Sequence, residues 1–138
     1  MRGLLFDVNL DGYRQRLLGI LRKHGFEPLM NEWSLSFATF SELGIDPETL
    51  DRSVWNYCQA QGWVLLTDNR NHDGEDSLQA TLDDSWVVGC YPIVTIGDKY
   101  AFENDPLYAA QVAFELADLL IDVKEQFNLH QPRFYIPR

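Results

Sequence analysis

Two stretches of this chain place acids and amides directly after short apolar runs. Leu4, Leu5 and Phe6 lead into Asp7 and Asn9; Trp63, Val64, Leu65 and Leu66 lead into Thr67, Asp68, Asn69, Arg70, Asn71, His72 and Asp73. Apolar runs of this length read as buried strands of a parallel sheet. In open α/β sheets, ligands bind outside the carboxyl ends of such strands. If the two ends are neighbours, their oxygen atoms suit a hard cation such as Mg²⁺ or Mn²⁺, which takes oxygen ligands and keeps several waters.

Asp7 is the foremost candidate, because a carboxylate at the end of a buried strand needs a cation, a base or several backbone N–H groups. The plainer reading is that it caps the following helix, with Asn9 sharing the task. Asp51 is the second candidate. It stands three, four and seven residues before Val54, Trp55 and Cys58, at the edge of the helix face that packs onto a sheet. Its plainer reading is a solvated helix acid. Arg70 has the planar fork to pair with the nearby acids or clamp a phosphate. His72 alone reads as a surface histidine. Other chemistries lack their residues: there is no Gly-rich phosphate loop and no Ser-centred nucleophile elbow. Neither Cys58 nor Cys90 has a second Cys or a His at zinc spacing.

The elements that must position these residues alternate. A strand is expected over 3–8 and a helix over 11–24, with Tyr13, Leu17, Leu18 and Leu21 at helical spacing and Lys23-His24-Gly25 ending it. A weaker strand is expected over 26–30, and 32–43 has mixed periodicity that assigns no element. Asp46-Pro47 reads as a helix start, with that helix running to Gln61 before Gly62. Asp73-Gly74 suggests a turn, and Asp76 with Gln79 a short capped helix over 77–82. A strand comes next over 91–96. Asp105-Pro106 opens a long helix, and Phe134-Tyr135-Ile136 reads as an edge strand. Together these predict a single domain over 1–138, a three-layer α/β/α fold around a mainly parallel sheet.

Composition agrees with one ordinary globular domain: 138 residues, 46% hydrophobic. A formal charge of −10 repels nucleic acid at long range and argues against a dedicated DNA-binding surface. No apolar stretch is long enough for a membrane span, and the start lacks the pattern of a signal peptide. A cytoplasmic location is therefore expected.

The segment Leu4-Leu5-Phe6-Asp7-Val8-Asn9-Leu10, followed in order by Asp51, Val54-Trp55, Gly62 and Val64-Leu65-Leu66-Thr67, resembles the PIN-like domain family, in its compact toxin-like branch. The resemblance covers about the first half of the chain. It implies a metal-dependent ribonuclease that cleaves single-stranded RNA at Mg²⁺ or Mn²⁺, with Asp7 and Asp51 as catalytic acids and metal ligands. In that family, acids stand at the second and fourth positions after Thr67. Here they are Asn69 and Asn71, which keep an oxygen donor but remove charge. Asn9, Thr67, Asp68, Arg70 and Asp73 would support the site or orient substrate. A small active member would often be a toxin held by a partner protein. The alternative is a non-catalytic interaction or regulatory module on the same scaffold, favoured by the charge and the two amides. It would bind a partner protein or a second copy, through its long C-terminal helix or a patch drawn from Trp33, Trp55, Trp63 and Trp86, most of which read as core residues.

Overall fold

The computed structural model describes residues 1–68, 77–125 and 131–137. Five strands form one sheet: β1 (Gly3–Phe6), β2 (Ser36–Thr39), β3 (Trp63–Thr67), β4 (Ile93–Ile96) and β5 (Arg133–Ile136). Their order is β2-β1-β3-β4-β5, and every neighbouring pair is parallel. Both β1 and β3 are buried along their whole length, as continuous apolar runs in a covered parallel sheet must be.

Alternation along the strands builds two cores. Leu4, Phe6, Val64, Leu66, Val94 and Ile96 face one way, and Leu5, Trp63, Leu65 and Ile93 the other. The first face is covered by α1 (Arg14–Lys23) and α7 (Pro106–Lys124), through Leu17, Leu21, Val112, Leu116 and Leu120. The second is covered by α3 (Phe40–Leu43), α4 (Asp51–Gln61) and α5 (Leu78–Ser85), through Phe40, Val54, Trp55, Cys58, Leu78 and Leu82. The chain is therefore a three-layer α/β/α domain. Short helices α2 (Glu27–Glu32) and α6 (Lys99–Asn104) complete the set. The last crossover differs from its predecessor: α5 links β3 to β4 across the second face, whereas α7 links β4 to β5 across the first. These two connections consequently have opposite hands, although parallel crossovers are nearly always right-handed. Among the described residues, no helix is long and apolar enough to cross a membrane.

Several local expectations are corrected. Residues 26–30 are not a strand: Glu27–Glu32 is helical, with Pro28 in its first turn and the acid of Glu27 at the positive end. A short apolar run cannot distinguish the two states, and Phe26 and Met30 meet the first core from a helix. The strand expected over 3–8 stops at Phe6, because Asp7 caps a 3-10 segment (Val8–Tyr13) that precedes α1. Asp46-Pro47 does not open α4. Asp46 instead closes a turn, accepting from Glu48 N–H at 2.8 Å through its side chain and from Thr49 through its carbonyl. Leu50 is then extended, and α4 begins at Asp51. The unassigned 32–43 stretch holds β2 and α3, joined by a capping box of Thr39 and Glu42. The helix expected over 77–82 is α5, capped by Ser77 rather than an acid; the turn expected at Asp73-Gly74 lies outside the described residues. Asp105 caps α7 as expected, and β5 is an edge strand.

Candidate functional site

The strand order reverses between β1 and β3. From β1 the chain crosses to β2 on one side and returns to β3 on the other, so the helices on either side diverge and leave a crevice above the carboxyl ends. Asp7 stands there. Its backbone N–H donates to Leu66 C=O on β3 at 2.9 Å. Its Oδ1 accepts from Val8 N–H at 2.7 Å and its Oδ2 from the Thr67 hydroxyl at 2.7 Å. Asp7 is thus both a cap and a partner of the β3 end. Each carboxylate oxygen has two lone pairs, so these single bonds leave acceptor capacity on both.

Asp7 and Asp51 line one cleft of about 250 Å³. Val54, Leu65, Phe40 and Leu78 contribute apolar wall, while Asn9, Thr49 and Asp51 contribute polar groups. The first turn of α4 brings Asp51 to the cleft while Val54, Trp55 and Cys58 bury into the second core. Burial pushes the Asp7 carboxyl above its ordinary value of 3.8; the bonds from Thr67 and Val8 oppose this, and the charges of Asp51 and Asp68 add to it.

The other expected residues divide. Thr67 is fully buried and holds Asp7; Asn9 is an exposed residue that lines the cleft. Asp68 is not among the residues lining the cleft and pairs with Lys99 Nζ at 3.0 Å. Asn69, Arg70, Asn71 and Asp73 lie outside the described residues. Among the described residues, no three His, Cys, Asp or Glu side chains group as a metal site. Two carboxylates with amide and hydroxyl neighbours nonetheless fit a hard ion that retains much of its water.

Two features escaped the sequence reading. Asp11 lines an adjoining cleft of about 390 Å³ that shares Val8, Phe40 and Pro47 with the first. Its carboxyl is raised by burial, lowered by Arg14 and raised again by Glu42; Arg14 and Glu42 form an ion pair. Spacing could have flagged Asp11, one turn beyond Asp7. Lys99 gave no such signal, because its partner Asp68 is a neighbour only through the β3–β4 pairing. Comparisons with protein-family models, curated proteins and solved structures found no match.

Proposed function

We propose that this chain is a PIN-like domain and a metal-dependent phosphodiesterase acting on single-stranded RNA, with Asp7 and Asp51 holding a Mg²⁺ or Mn²⁺ ion. One observation carries the reading: a desolvated carboxylate at the β1/β3 reversal point faces a cleft that a second carboxylate also lines. Among the described residues, the charges that act on Asp7 are those of Asp51 and Asp68, and a divalent ion is a chemistry that would supply a counter-charge. When bound, such an ion neutralises phosphate charge and lowers the pKa of water. The protein's own share is orientation. Thr67 fixes the plane of Asp7, α4 presents Asp51, and Asn9 offers a carboxamide at the cleft to a substrate oxygen or water. By the resemblance, Asn69 and Asn71 would complete the ligand set, and Arg70 and Asp73 would support it or orient substrate. A toxin-like role with a partner protein rests on the resemblance alone.

A second reading has one observation in its favour. Asp68 is engaged by Lys99, which leaves Asp7 and Asp51 as the cleft's carboxylates among the described residues. An interaction module that has lost catalysis would look the same.

Thermal melting with increasing Mn²⁺, followed by cleavage of a structureless RNA, tests both. Wild type is expected to gain more stability from Mn²⁺ than Asp7→Asn does, and to cut the RNA only with metal. An unchanged melting temperature would sink the cation site. Binding without cleavage of any of several RNAs would favour the interaction module.

A further inference from the structure

Thr67 and Asp68 are consecutive, yet their side chains engage opposite neighbours. Thr67 reaches Asp7 on one side of β3, and Asp68 reaches Lys99, just beyond β4, on the other. Lys99 opens α6, whose first turn is fixed by Asp98 accepting from the N–H groups of Tyr100 and Ala101 at 3.0 Å. The ammonium is therefore delivered by a capped helix. The paired side chains of Lys99 and Asp68 are only 27% and 17% exposed, so solvent screens them less than an ordinary surface pair. Asp68 Oδ1 is buried and has no hydrogen-bond partner among the described residues. Among the described residues, Lys99 is the cation paired with this half-satisfied carboxylate, whose charge also acts on Asp7.

We propose that Lys99 is a built-in counter-charge that sets the cation affinity of the Asp7–Asp51 cleft by neutralising Asp68; this rests on the cleft holding a divalent ion. With Lys99 present, Asp68 adds no net charge beside the cleft that Asp7 and Asp51 line. Without it, Asp68 adds a third negative charge within a Debye length of the site. The cleft then attracts a divalent ion more strongly, whether or not Asp68 touches it.

Calorimetric Mn²⁺ titration of the folded protein separates the outcomes. Lys99→Met is expected to bind Mn²⁺ about three- to tenfold more tightly than wild type at low salt, and Lys99→Arg to match wild type. Asp68→Asn should bind several-fold more weakly, and the double variant K99M/D68N should return to the wild-type affinity. A merely structural role for the pair would not produce that restoration. The difference should shrink at about 0.5 M salt, where charges are screened over a few ångströms. Unchanged or weaker binding by Lys99→Met, with wild type binding Mn²⁺, would overturn the role of Lys99 and leave the cleft reading intact. No Mn²⁺ binding in any of these proteins would remove both. Should Lys99→Met fail to fold, Lys99→Gln and Asp68→Asn carry the same test.

Discussion

The Thr67 hydroxyl donates to Asp7 Oδ2 at 2.7 Å, across 60 residues of sequence. This bond ties the ends of the two central strands at the point where strand order reverses. Thr67 has no exposure, so water cannot replace the donor. Thr67→Val keeps the branched shape the strand requires and removes the hydroxyl that bonds Asp7. It is expected to cost about 1–2 kcal/mol in urea unfolding at neutral pH and to raise the Asp7 carboxyl further. A variant as stable as wild type would mean that the hydroxyl does not hold Asp7 in solution.

Asp7 should set a pH dependence opposite to that of a paired carboxylate. Its folded pKa lies above the ordinary 3.8, chiefly through burial. Between 3.8 and the raised value, the folded state binds more protons than the unfolded one. Stability is then lost as pH rises through that window. Without metal, Asp7→Asn should therefore be more stable than wild type at pH 7, by about 0.5–2 kcal/mol, and the gap should close near pH 3. Melting curves of both proteins in chelator from pH 3 to 7 measure this. A less stable variant at pH 7 would show that Asp7's bonds outweigh its burial.

The parts of the fold set by local chemistry were readable from sequence. Leu4–Phe6 and Trp63–Leu66 read as buried strands and are strands, and their polar ends located Asp7 and Thr67. The same Asp-Pro pair nevertheless appears twice with different results. Asp105 caps α7 through the N–H groups of Leu107 and Tyr108, whereas Asp46 closes a turn that the Thr49 hydroxyl reinforces. The difference lies further along the chain: a nineteen-residue helix packed on the sheet in one case, and an extended Leu50 in the other. Helix α2 was not legible because Phe26 and Met30 find their apolar partners on the first core, a long-range fact. Lys99 stayed hidden for that reason too, since an ion pair between the first residue of α6 and the residue after β3 leaves no periodicity in the sequence.

The two cysteines should behave differently. Cys58 is buried in α4, and its thiol is pushed up to about 12, first by burial and then by the negative charge of Asp7. Only a thiolate attacks alkylating reagents. Cys90 is half-buried and outside any helix or strand. Native protein at pH 8 should therefore incorporate one iodoacetamide, mapped by mass spectrometry to Cys90, and two in denaturant. Rapid native labelling of Cys58 would contradict the packing of α4 on the sheet.

Gly3 connects the sheet edge to the cleft. It pairs with Ser36 in the β1–β2 register, at φ +152, where a Cβ would stand 1.9 Å from the Ser36 carbonyl oxygen. That atom is backbone, so a side chain at position 3 must push β2 away rather than turn a rotamer. β2 is an edge strand held on one side only, and it leads through Thr39 into Phe40, which lines the cleft. Gly3→Ala is therefore expected to cost about 1–3 kcal/mol or more. It should also speed amide exchange in residues 36–39 while the β3–β4 pairing stays protected. Gly12→Ala is the control, because its Cβ would meet nothing within 4 Å. Equal stability of the two variants, with β2 exchange unchanged, would mean that β1 and β2 do not approach as closely as this geometry requires.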